Sequence, residues 1–140
     1  MESAEHWYAL AAVLLFLKMF FIAAYQGYHR IGKRVYKTPE DAALMRCEVA
    51  SEELPQVQRA ARAWLNDLEN IPIFLALAIA FIWLGGSSVM AAWLFMSFTL
   101  MRYLHTLFYL VGMQPWRTLA YAGGILCLFA LSSEVVWLLF

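Results

Sequence analysis

The chain has 140 residues, 64% of them hydrophobic and 14% charged, with ten basic and ten acidic side chains. A composition this apolar excludes an ordinary soluble domain of the same size. A formal net charge of zero excludes bulk attraction to nucleic acid, so no nucleic-acid partner is expected.

Taken in chain order, the first stretch is "MESAEHWYALAAVLLF". It carries acids where a cleaved leader needs positive charge, so the first apolar run reads as an uncleaved spanning helix, at about 6–31, interrupted by Lys18. A polar loop at 32–55 follows and contains "TPED", a helix-start or turn signal. Two further apolar runs, 71–84 and 89–101, are each too short to cross about 30 Å of hydrocarbon at roughly 1.5 Å per residue. "GGSS" at 85–88 separates them as a tight turn. Both helices must therefore extend away from that turn, back through Glu69 and Arg62 and forward through Arg102 and Tyr109. This gives spans at about 56–84 and 88–112. The last span, 116–139, is interrupted by Glu134. The reading is one membrane domain over 1–140, all-α, an integral membrane four-helix bundle.

Arg30, Lys33, Arg34, Lys37 and Arg46 crowd into the first loop, while the start before Trp7 and the 85–88 turn hold no Lys or Arg. The positive-inside tendency puts loop 32–55 in the cytoplasm and both termini on the opposite side. Trp7, Tyr8, Trp83, Trp93 and Trp137 then form an aromatic belt at the far interface. Cys47 and Cys127 match no metal or redox spacing, and no metal site is expected.

Arg59, Arg62, Asn66 and Glu69 follow one another at three, four and three residues, so they share one face of the second span. Arg102, His105 and Tyr109 do the same on the third. Arg117 and Thr118 begin the fourth span, with Tyr121 four residues after Arg117, and Arg30 ends the first. Four helices thus bring polar side chains to the same half of the membrane. Intramembrane ionisable groups are rare and mark either a site or a paired structural network. Asp67 lies off the common face and is read as structural, pairing with a neighbouring helix. Lys18 either snorkels or pairs internally. As a site, the arginines at 30, 62, 102 and 117 fork onto carboxylates, and Glu69 accepts from an ammonium group. Asn66, His105 and Tyr109 add neutral hydrogen bonds. A peptide with two carboxylates and one amine fits this inventory. No catalytic triad, phosphate loop or zinc pattern is present.

The segments "KMFF", "TPEDA", "RAWLNDLENIPIF", "RYLHTLFYL" and "PWRTLAY", in this order from Lys18 to Tyr121, resemble the MAPEG family, the membrane-associated proteins of eicosanoid and glutathione metabolism. The branch they resemble is that of the microsomal glutathione transferases and prostaglandin E synthases. The resemblance implies a homotrimer of four-helix bundles with glutathione held between subunits near the cytoplasmic side. It implies glutathione-binding roles for Arg30, Arg62, Asn66, Glu69, Arg102, His105, Tyr109 and Tyr121. It places Arg117 by the thiolate, followed by Thr118, whose own contact with sulfur stays open.

Two departures stand out. Trp64 occupies a position where the family often has histidine, and the connection from Tyr109 to Arg117 is one residue shorter than in the prostaglandin synthases. The activity the resemblance implies is a glutathione transferase and peroxidase acting on hydrophobic electrophiles that arrive from the lipid. A prostaglandin-type isomerase is the second reading, and a non-enzymatic lipid-binding scaffold the third. Departure from the animal members favours a bacterial inner membrane over the endoplasmic reticulum.

Overall fold

The computed structural model describes residues 3–140; Glu2, one of the acids weighed against a cleaved leader, lies outside them. The described residues form five helices: α1 (Ala4–Lys33), α2 (Pro39–Leu44), α3 (Pro55–Trp83), α4 (Ser88–Val111) and α5 (Gln114–Trp137). The four long ones are each long and apolar enough to cross a membrane, which makes the chain a multi-pass integral membrane protein. Among the described residues there is no strand, only an isolated bridge between Tyr36 and Val49.

Helix ends follow local chemistry. The Ser3 side chain accepts from the His6 amide and starts α1 at Ala4, two residues before the predicted point. Arg34 ends α1 in the left-handed region, with φ 53°, and its guanidinium donates to the Met45 carbonyl at 2.6 Å. The "TPED" signal becomes α2, with Pro39 in its first turn and the Thr38 hydroxyl donating to Asp41. Gly85 takes φ 81° in the α3–α4 turn, and Ser87 caps α4 by accepting from the Met90 amide at 3.2 Å. Gly112 closes α4 at φ 77°, a conformation glycine adopts without a Cβ penalty.

In the bundle α3 and α4 touch each other, and both touch α1 and α5. Two halves differ in chemistry. Toward the α3–α4 turn the core is aromatic: Phe74 stacks on Phe98 with centroids 4.3 Å apart and meets Phe95 edge-on at 5.5 Å. Phe81 also meets Phe95 edge-on, at 5.9 Å. Toward the loop between α1 and α3 the core is polar, built on Lys18, Asp67, Arg102 and His105. Trp83, Trp93 and Trp137 point outward near the turn end, while Trp7 and Tyr8 pack partly against the aromatic core.

Two glycines give opposite expectations. A Cβ on Gly86 would lie 2.3 Å from the buried Phe81 ring, so Gly86→Ala should lower the melting temperature in detergent through overpacking of about 1–3 kcal/mol. Gly27 has open space at that position within α1. Gly27→Ala should leave the melting temperature unchanged or raise it, by at most about 1 kcal/mol of helix propensity.

Candidate functional site

Three charged side chains from three helices meet in the interior. The Lys18 ammonium on α1 donates to Asp67 on α3, and both side chains are buried. Arg102 on α4 is fully buried, with Nη1 3.9 Å from Asp67 Oδ1. The same Nη1 donates to Asn66 Oδ1 at 2.8 Å. Neighbours on a helix point about 100° apart. Asn66 and Asp67 therefore both reach the buried arginine while Asp67 also turns to α1. The Asp67 pairing expected from sequence is thus with Lys18, which pairs internally and does not snorkel.

The trio carries one carboxylate against two cations. Arg102 Nε and Nη2 and His105 Nδ1 are buried and have no hydrogen-bond partner. Buried polar groups without a partner are costly, so a polar group brought against these atoms would gain from pairing with them. They look toward α5. The Arg102 guanidinium carbon lies 5.8 Å from the Tyr121 ring centroid. A Cβ on Gly124 would come within 3.2 Å of Arg102 Nη2, so the absence of a side chain there lets the arginine lie against α5.

Around this centre α4 and α5 build an aromatic wall. His105 sits edge-on to Tyr109, with centroids 5.5 Å apart, and 6.2 Å from Tyr121. Arg117 lies over the Tyr109 ring at 4.5 Å from its centroid, within cation–π range. Thr118 is exposed beside it. One chain therefore brings together Asn66, Arg102, His105, Tyr109, Arg117 and Tyr121.

It does not bring in the rest. Arg62 and Glu69 are exposed. They lie on the side of α3 away from buried Ala63, Asp67, Ile71 and Phe74. Arg30 is engaged elsewhere: its Nε and Nη2 donate to Glu53 Oε2 at 3.0 and 2.6 Å. Glu53 itself accepts from the Leu54 amide at the start of α3. Sequence reading missed Glu53, whose only signal is an acid placed just before Pro55. It also missed Thr106, buried on α4 beside Asp67 and recognisable only as the residue after His105 on the polar side of α4. Arg59 reaches the end of α4, where a Cβ on Gly112 would sit 3.3 Å from its Nη1. A cation there meets the negative end of the helix dipole. No cluster of metal-binding side chains occurs among the described residues.

Fold and site together define a multi-pass helical membrane protein with a cationic, hydrogen-bonding centre buried in one half of its bundle. The sequence model of the MAPEG family matches residues 8–137, and the chain belongs to that family. It is 34% identical to bovine (Bos taurus) prostaglandin E synthase over 131 residues, covering 93% of this chain and 86% of the relative. Identity to the human (Homo sapiens) prostaglandin E synthase is 30%, with the same coverage of each chain. Bovine microsomal glutathione S-transferase 1 is 34% identical over 122 residues, 84% of this chain and 79% of the relative.

The buried trio gives an ordered pair of variants. Asp67→Asn leaves the Lys18 and Arg102 charges facing each other without a counter-ion and should cost about 3–5 kcal/mol. Lys18→Met leaves Asp67 and Arg102 as a neutral pair that can close its 3.9 Å gap, so its loss should be smaller. Thermal melts of the two detergent-solubilised variants check the order; an equal or reversed order contradicts it.

Proposed function

We propose that the chain is a glutathione-dependent membrane transferase and peroxidase acting on hydrophobic electrophiles or lipid hydroperoxides. The observation that carries this reading is the set of buried, unpartnered nitrogens on Arg102 and His105, walled by Tyr109, Tyr121 and Arg117. A tripeptide with two carboxylates, an ammonium group and a thiol matches what these residues lack. The similarity to a microsomal glutathione S-transferase supports the same ligand.

In this reading the site is shared between copies of the chain in a homotrimer. Arg62 and Glu69 face away from their own α4–α5 wall, so they serve the wall of a neighbour. Glu69 accepts from the ammonium group, and Arg62 pairs with a carboxylate. Asn66 is held by Arg102 and presents its amide to the same space. Arg30 joins only by leaving Glu53. The loop-bearing end of the bundle lies on the cytoplasmic side, where its basic residues favour it.

Glutathione supplies the nucleophilic sulfur, and the reactive form is the thiolate. Arg117 stands over Tyr109 at the mouth of the wall, and its fixed positive charge favours the anionic sulfur. Thr118, next in sequence and exposed, is placed to donate a hydroxyl hydrogen to the same atom. The remaining residues fix the peptide's orientation, which itself lowers the barrier. The apolar substrate enters sideways from the lipid.

A second reading, an isomerase that rearranges a lipid peroxide and regenerates glutathione, is favoured by the similarity to prostaglandin E synthases. Both readings need the thiolate; product analysis with a hydroperoxide and with an endoperoxide separates them. A scaffold without catalysis need not bind glutathione at all.

Calorimetric titration of the purified protein with glutathione should show saturable binding, and a folded protein that binds none at millimolar concentration contradicts the assignment. Arg117→Ala should keep most of that affinity but lower turnover by roughly 10–100-fold, the scale of one lost charged contact in a transition state. The ultraviolet absorbance of bound thiolate should appear at lower pH in the wild type than for free glutathione, and that difference should shrink in Arg117→Ala. An unchanged thiolate titration in a glutathione-saturated variant removes Arg117 from thiol activation.

A further inference from the structure

Proline is strongly disfavoured inside a helix, because its ring nitrogen carries no hydrogen and its ring presses on the carbonyl four residues back. α3 nonetheless contains Pro72 and continues past it to Trp83. The carbonyl that loses its amide partner is that of Leu68. Between Leu68 and Pro72 the one side chain that can donate is Asn70, and it donates to the Asn66 carbonyl instead, at 2.7 Å. From the neighbouring helices, Lys18 is committed to Asp67 and Arg102 donates to Asn66. Hydrocarbon offers no donor, so a freed carbonyl at this depth costs free energy until a donor reaches it from elsewhere.

The freed oxygen opens on a particular face. Arg62, Leu65, Glu69 and Pro72 follow one another at three, four and three residues, so they form one stripe along α3. All four are exposed in the single chain, and exposed Leu68 and Ile73 flank them. A helical carbonyl points along the axis toward the residue four ahead. The Leu68 oxygen therefore lies under the Pro72 ring, within a turn of the Glu69 side chain. This part of the stripe holds two acceptors, a carboxylate and a carbonyl. The donor on the stripe, Arg62, sits six residues before Leu68, roughly 9 Å along the axis. Two acceptors without a donor suit a group with several hydrogens to give and no lone pair, and an ammonium is such a group.

We propose that Pro72 is a positioning residue of the peptide site: by removing its own amide hydrogen it leaves the Leu68 carbonyl to accept, beside Glu69, a second hydrogen bond from the ligand's ammonium group. The proposal rests on the glutathione reading above and adds to it a selectivity for the free amine that the Glu69 charge alone does not supply. A carboxylate attracts any cation; a carboxylate and a carbonyl set side by side on a rigid helix fix the direction of two N–H bonds. A proline in the middle of a span is then the means by which a backbone atom becomes available to a ligand.

The test compares two peptides on the assembled full-length protein in detergent by calorimetric titration. One is glutathione; the other is glutaryl-cysteinylglycine, the same peptide with hydrogen in place of the amine. Pro72→Ala returns the amide hydrogen to the Leu68 carbonyl. It should lower glutathione affinity about ten-fold, the scale of one charged hydrogen bond, and leave the deaminated peptide within about two-fold of the wild type. The melting temperature should not fall, because alanine also restores a helix bond. Pro72→Leu supplies the same N–H and stands in if the alanine variant does not assemble. Equal loss of affinity for both peptides makes the role of Pro72 structural and overturns the proposal. Unchanged affinity for both overturns it too, and so does dissociation of the assembly by Pro72→Ala, which gives the carbonyl a donor on a neighbouring copy. A wild type that binds neither peptide fails the glutathione reading itself, a result distinct from these three.

Discussion

A charge inside a bilayer must find its partner within the protein, because hydrocarbon offers none. Asp67 is that partner here. It receives the ammonium of Lys18 from α1 and faces the guanidinium of Arg102 from α4, so three helices are fixed in depth and rotation by one carboxylate. An apolar contact tolerates sliding by a methylene or so; a buried ion pair does not. The aromatic half of the core around Phe74, Phe95 and Phe98 supplies cohesion, and the polar half supplies register.

The candidate site inherits its geometry from that register. Arg102 has one nitrogen on Asn66 and near Asp67, which leaves Nε and Nη2 unpartnered toward α5. Gly124 permits the approach, and Tyr121 closes it on one side. On the proposed reading the same arginine serves structure with one nitrogen and offers the others to a ligand. Reading the intramembrane charges as either a structural network or a binding site sets up a false choice: the network positions the site.

The bundle was legible because hydropathy and loop charge are properties of segments. The two middle apolar runs, too short on their own, gained their full lengths once the "GGSS" turn forced them to extend through polar residues, and the observed α3 and α4 do so. The family was legible from the ordered motifs between Lys18 and Tyr121. Side-chain partners were less so. Helical spacing put Arg62, Asn66 and Glu69 on one face but could not say that Asn66 turns inward while Arg62 and Glu69 stay exposed. Spacing fixes relative angle, not the direction of the core. Sequence alone puts Arg30 with the other arginines because the spans give no information about a loop acid such as Glu53, which reaches it only through the folded loop.

Outward-facing Arg62 and Glu69 leave each chain with two incomplete halves: an α3 face without a wall, and an α4–α5 wall without that face. In the proposed homotrimer a ring of copies joins each half to its complement. The direct measurement is complementation between two impaired chains, one carrying Arg62→Ala with Glu69→Ala, the other Arg117→Ala. Each is assembled alone, then both are refolded or co-expressed together, and glutathione-dependent turnover is read. A site shared between neighbours predicts that mixed assemblies recover activity, at about one site in three of each mixed trimer and about a quarter of all sites under random mixing in a ring. Verified mixed assemblies whose turnover stays at the level of their parents would contradict a shared site and return all of its residues to a single chain.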